Sequence, residues 1–109
     1  MQLQGFPFST TQWDKLEPTE HKGETGIAYW RTIRLGNIRV RMVDYSPGYM
    51  ADHWCEKGHI LLCVEGELET ELKDGGKFVL AKGMSYQVSD GASSHRSSTR
   101  TGAKLFIVD

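Results

Sequence analysis

The stretch from Gly48 to Glu69, GYMADHWCEKGHILLCVEGELE, sets two histidines, two cysteines and several acidic residues around a short apolar run. It reads as a metal site, as a redox pair, or as a buried strand with polar ends. Residues two apart on a strand share a face, so His53 and Cys55 project together while Trp54 points away. His59 has the same parity, but six extended residues cover roughly 20 Å, whereas metal donors each lie ~2.0–2.3 Å from one ion. The chain must therefore turn between Cys55 and His59, and Glu56-Lys57-Gly58 is suited to it because glycine tolerates turn conformations. A fourth donor has to come from a distant segment. His21 lies in a polar segment where exposure is the expectation, which leaves His95 in DGASSHRSST. Imidazoles with an optional thiolate suit Zn, Fe, Ni or Cu rather than Mg or Ca, which prefer oxygen shells. Spacing alone leaves a metal site and a metal-free arrangement both open.

Composition narrows the setting. A chain of 109 residues fits one domain with one core. Thirteen Lys and Arg against fourteen Asp and Glu give a net charge of −1. The basic residues are scattered, which argues against a nucleic-acid partner. The longest apolar run, ILLCV, is far too short to span a bilayer, and MQLQGFPF lacks the features of a signal peptide. The expectation is a soluble, cytoplasmic protein without a membrane partner, in which Cys55 and Cys63 are reduced thiols rather than a disulfide.

Residues 1–25 are polar with scattered aromatics and read as an N-terminal arm laying Phe6, Phe8 and Trp13 on the main domain. From residue 26 to 109 the text changes to short runs rich in Val, Ile, Thr and Tyr, separated by glycine-containing turns. Gly36-Asn37 signals a hairpin between GIAYWRTIRL and IRVRMVDY. In the second run Ile38, Val40 and Met42 form the expected buried face, and Arg39 and Arg41 the wet one. Leu68, Thr70 and Leu72 oppose the charged row Glu67, Glu69, Glu71 and Lys73, and Asp74-Gly75-Gly76 turns the chain. The fold class is all-β, about eight short antiparallel strands closing one core as a sandwich or barrel.

The same residues resemble the two motifs of the cupins. The first reads Gly48, four residues, His53-Trp54-Cys55, three residues, His59, six residues, Gly66. The second resembles GMSYQVSDGASSHRSST, running from Gly83 through Ser89-Asp90-Gly91 to His95 and Thr99. The ADHWC segment and the LFIVD ending are also similar to a small cupin group named for its Asp-His-Cys-Trp residues, here ordered Asp52-His53-Trp54-Cys55. The resemblance implies a small antiparallel β-barrel or jelly roll, the cupin double-stranded β-helix. It implies a divalent transition metal (Fe, Zn or Ni) on His53, Cys55, His59 and His95, with Cys55 at the second histidine position and His59 at the glutamate position. It also implies a homodimer, since small cupins commonly pair.

Tyr86, Trp54 and Arg31 are candidates for lining a substrate pocket, with plain core or surface placement as the alternative. An inward arginine, Arg31 or Arg96, would recognise an anion through bidentate pairing with a carboxylate. Cys63 reads as a small buried hydrophobe and Asp52 as a supporting residue. Two functions follow. One is a metal-dependent cupin binding or transforming a small molecule, dioxygenase-like or isomerase-like if an enzyme. The other is a non-enzymatic small-molecule or metal-binding sensor module, favoured by a closed four-donor shell.

Overall fold

The computed structural model describes residues 2–109. After one turn of 3-10 helix at Trp13–Lys15, the regular elements are strands: β1 Thr19–Lys22, β2 Ile27–Leu35, β3 Ile38–Tyr45, β4 His59–Leu72, β5 Lys77–Ala81, β6 Ser85–Val88, β7 His95–Ser98 and β8 Ala103–Val108. Their pairings are antiparallel. Among the described residues no helix is long and apolar enough to cross a membrane. The hairpin signal is realised: Leu35 faces Ile38 across Gly36-Asn37, with Gly36 at φ +54°. Asn37 keeps a negative φ, the arrangement of a type II′ turn.

β4 organises the molecule because it serves two sheets. Its first half pairs with β8 on one edge and β6 on the other, extending the β1-β2-β3-β8 layer. Its second half pairs with β5 and β7. The path β1-β2-β3-β8-β4-β5 does not close on itself among the described residues, so the jelly roll is open rather than a sealed barrel. Leu61, Cys63, Leu68, Leu80 and Leu105 fill the interior, each at most 3% exposed. Each large aliphatic side chain among them contributes about 1.5–3 kcal/mol by leaving water. Cys55 and Cys63 are both free thiols.

The inward residues of β4 change parity along the strand. His59, Leu61 and Cys63 face inward in the first half, Leu68, Thr70 and Leu72 in the second. A period-2 strand can shift parity only by an irregularity, and the β4–β8 register breaks between Cys63 and Glu65. Gly66 completes the break at φ +80°, with the position of a Cβ only 2.1 Å from the Gly102 carbonyl oxygen. Neither the conformation nor the space admits a side chain.

Three expectations need correction. On β3 it is the arginine face that points inward: Arg41 is 5% exposed and Val43 1%, and Tyr45 packs on the core. Ile38, Val40 and Met42 lie on the outer face, as does Phe106 on neighbouring β8, and of these Val40 is buried as expected. That face is partly covered by the N-terminal segment, through an edge contact of Trp13 on Phe106 and a hydrogen bond from Arg31 Nε to the Leu16 carbonyl. Both faces are thus partly dry, and hydrophobicity alone could not choose between them. Phe8 does not pack at all, being 94% exposed, whereas Trp13 does. Finally, the sheet begins inside residues 1–25, since β1 pairs with β2, and His21 is half-buried with its ring stacked 3.7 Å from Trp30.

Gly66→Ala is expected to lower stability by at least ~2 kcal/mol, combining left-handed strain with a backbone collision. Gly48→Ala, at φ +82° but in open space, should cost only about 1–2 kcal/mol. Urea denaturation of the two variants measures the difference.

Candidate metal centre

Three of the four expected donors converge. Cys55, His59 and His95 place one ligand atom each within 4.8 Å of one another. The turn required between Cys55 and His59 is held by the loop before β7: Asp90 accepts a hydrogen bond from the Gly58 amide at 2.6 Å, and the Gly91 amide donates to the Glu56 carbonyl at 2.8 Å. Gly58 leaves no room for a side chain against Ser89 and Asp90. Cys55 is locked to His95 by a reciprocal backbone pair, its amide donating to the His95 carbonyl at 2.7 Å and its carbonyl accepting from the His95 amide at 3.0 Å. Segments forty residues apart are thereby fixed side by side, with roughly a strand-pair separation between them.

His53 lies elsewhere. Its side chain is 72% exposed, and its Nδ1 contacts the Asp52 carboxylate at 2.7 Å. It lines the same cavity as the three donors but stands outside their cluster. The structure therefore brings together Cys55, His59 and His95, and does not bring His53 to them.

The imidazoles are oriented from behind. His95 Nδ1 donates to the Ser93 carbonyl at 2.8 Å, because a carbonyl can only accept. Burial lowers the His95 pKa, opposed by the Ser93 bond and aided by His59, so the ring is neutral and its Nε2 presents a lone pair. That lone pair faces His59 Nε2 at 3.0 Å. His59 Nε2 also lies 2.9 Å from the Tyr86 hydroxyl, and its Nδ1 lies 3.6 Å from Asp109 Oδ2, too far for a hydrogen bond. The buried Nδ1 has no hydrogen-bond partner among the described residues.

This pattern is a test of fit for an ion. Without one, a neutral His59 must carry its proton on Nε2 to satisfy His95, which leaves the Nδ1 lone pair facing a carboxylate. A protonated His59 would satisfy both nitrogens but add a third cation to two arginines sharing that one carboxylate. An ion held by the two imidazoles would take both Nε2 lone pairs and leave the His59 Nδ1–H for Asp109. Carboxylate and carbonyl groups behind metal-binding imidazoles have this orienting role. Donors on one tetrahedral ion stand about 3.3–3.6 Å apart given ~2.0–2.3 Å bonds. The two Nε2 atoms, 3.0 Å apart, are near that separation, and the Cys55 thiol lies within 4.8 Å of both, so the donor set fits a transition metal after a small movement of the thiol.

Behind the cluster lies the residue that the sequence reading missed. The Asp109 side chain is fully buried and receives Arg39 through Nε at 2.9 Å and Nη2 at 3.0 Å, and Arg41 through Nη2 at 3.0 Å. Burial alone would raise its carboxyl, but His59 and the two guanidiniums hold it well below the usual carboxylate range. A signal was available: Asp109 continues the inward alternation of Ala103, Leu105 and Ile107, and an acidic residue in that parity calls for cationic partners.

The donors open on a cavity of about 290 Å³ between the sheets, walled in part by Trp30, Tyr45, Tyr49 and Tyr86. Of the expected pocket residues, Tyr86 is in the wall. Burial pushes its phenol far above the ordinary value, so it stays a proton donor. Trp54 and Arg31 are not in the wall. Trp54 is overlaid by the Arg96 guanidinium at 4.7 Å, and Arg31 sits on the outer face with an ion pair to Asp44 at 3.4 Å. Arg31 shares the parity of Tyr29 and Ile33 as read, but that parity points out of the barrel. Arg96 does line the cavity.

Neither a protein-family profile nor a curated protein sequence matches the chain. Solved structures do. The chain is similar to ectoine synthase from P. lautus, with 18% identity and a TM-score of 0.75 over 93% of this chain and 76% of that one. A predicted oxalate decarboxylase from Thermotoga maritima is similar at 13% identity and TM-score 0.79, covering 92% and 96% of the two chains. An RmlC-like cupin from Shewanella frigidimarina is similar at 20% identity and TM-score 0.70, covering 96% and 88%. The chain has the cupin fold, as its motifs implied.

Asp109→Asn would leave two buried guanidiniums without a counter-charge and is expected to cost about 3–5 kcal/mol at pH 7. Because the folded carboxyl is depressed, its contribution is complete above the ordinary value of 3.8 and is lost as pH falls toward the folded value. The stability gap between wild type and Asp109→Asn, read by urea denaturation, should therefore narrow at pH 3.

Proposed function

We propose that this cupin binds a divalent transition metal through Cys55, His59 and His95 and holds or transforms a small molecule beside it. The observation that carries the reading is the convergence of those three donor atoms within 4.8 Å at the wall of an interior cavity. One thiolate and two imidazoles form a soft donor set that favours zinc over iron or nickel, and three protein donors leave a coordination position open. When bound, the metal supplies a Lewis-acid centre for the small molecule.

The chain's own residues do the rest. Ser93 holds the His95 imidazole in orientation, Asp109 lies 3.6 Å behind His59, and the Cys55–His95 backbone pair keeps the thiol's residue beside them. Tyr86 offers its hydroxyl next to His59, where a ligand in the cavity would receive it. Protein-derived general-base chemistry is not evident, since Asp109 is engaged by both arginines.

A second reading, a non-catalytic sensor with a saturated shell, is favoured by one observation: His53 lines the same cavity at its rim. Turning away from Asp52, it would act as a fourth donor. Elemental analysis of untagged protein separates the readings, with folding monitored by circular dichroism. About one metal ion per chain is expected, with affinity lowered more than ~100-fold in His59→Ala and His95→Ala, beyond the 10–100-fold typical of lost supporting contacts. His53→Ala should retain the ion if three donors suffice and lose it if the shell is closed. A wild type that takes up no zinc, iron or nickel on reconstitution sinks the metal reading.

A further inference from the structure

The cavity carries more positive charge than the metal donors account for. Arg39, Arg41, Lys57 and Arg96 line it, against the single carboxylate of Asp109. Deep inside, two guanidiniums share that one carboxylate, so one buried positive charge has no counter-ion. Arg41 is the under-used member. It is 5% exposed, gives Asp109 only its Nη2, and leaves its Nε buried without a partner among the described residues. Its guanidinium carbon lies 4.3 Å from the Trp30 ring centroid, which fixes the plane of the fork. An unsatisfied buried donor on a cation costs more than a neutral one and is relieved by an anionic acceptor.

We propose that Arg41, backed by Trp30, is the recognition group for the carboxylate of a small anionic ligand that occupies the cavity beside Cys55, His59 and His95. The charge balance selects the class. One unneutralised guanidinium matches a monoanionic carboxylate head, whereas a dianionic phosphate would need a second buried cation free to receive it. Arg39 is not free, because its Nε and Nη2 both hold Asp109. At about 290 Å³ the cavity lies at the lower end of ligand pockets, which limits the occupant to a compact molecule. Lys57 and Arg96 at the cavity wall add attraction for an anion of either kind and do not discriminate. This deepens the metal reading by naming the class of molecule held there, but the Arg41 contact itself involves no ion.

The test is titration of the protein, freed of metal by chelation, with the monoanion propanoate, with its uncharged isostere propanamide and with inorganic phosphate. Ionic strength is held constant, and calorimetry and Trp30-sensitive fluorescence are the readouts. Propanoate is expected to bind at least tenfold more tightly than propanamide or phosphate. Arg41→Gln, which leaves Arg39 on Asp109, should abolish that preference. If that variant does not fold, Arg41→Lys, which keeps the charge and loses the fork, takes its place and should lose the preference too, read beside the wild-type comparison of propanoate with propanamide. Equal affinity for the two, tighter binding of phosphate, or a preference unchanged in folded Arg41→Gln overturns the proposal. Repeating the titration on zinc-loaded protein separates the two readings: carboxylate binding without any metal uptake sinks only the metal centre, and metal uptake without carboxylate preference sinks only this one.

Discussion

A carboxylate buried to zero exposure beside two arginines and a histidine is the constraint on which this molecule is arranged. Asp109 extends β8, while Arg39 and Arg41 are on β3, and the backbones meet through the Arg39 amide to Asp109 carbonyl bond at 2.6 Å and its return at 2.9 Å. Guanidinium groups enter an interior only with a partner, so this carboxylate is what allows the arginine face of β3 to turn inward. The inward turn sets the charge of the cavity. It also leaves the opposite face, with Met42 and Phe106, for the N-terminal segment to cover. On the cavity side the same carboxylate lies behind His59, which links the stability of the sheet to the orientation of a donor.

The second constraint is the dual membership of β4. A strand that serves two sheets must change which residues face inward, and the break between Cys63 and Glu65 with Gly66 does this. Its first half presents His59 to the cavity and its second half presents Thr70 and Leu72 to the space lined by Tyr86 and His95. β7 then brings His95 across, and the backbone pair with Cys55 closes the cluster. No donor belongs to the same hairpin as another. The centre exists only because the layers fold over each other, as sites between packed sheets do.

Similarity to solved structures at 13–20% identity establishes the fold and nothing of the chemistry. A cupin scaffold hosts many activities, so the functional argument rests on the donor set, the buried charge and the cavity wall. Those features agree with one another. A buried His95 imidazole, a nearby thiol, a protonated phenol and a guanidinium that Asp109 engages through Nη2 alone meet at one cavity wall.

By itself the sequence determined what depends on local period and residue chemistry. The all-β class followed from alternating runs, a hairpin from Gly36-Asn37, the inward row of Leu68 and Thr70 from its charged neighbours, and the turn at Glu56-Lys57-Gly58 from the distance His59 has to cover. Motif order placed His59, Cys55 and His95 together as candidates, though it gave His53 equal standing. Tertiary structure decided the rest, because the deciding interactions join residues far apart in the chain. Which face of β3 is interior depended on Asp109, nearly seventy residues away. His53, turned toward its neighbour Asp52, is a local exception, and its exclusion shows only once the fold brings the other three donors together. Which arginine meets the cavity depended on strand register, a property of pairing partners that no single strand contains.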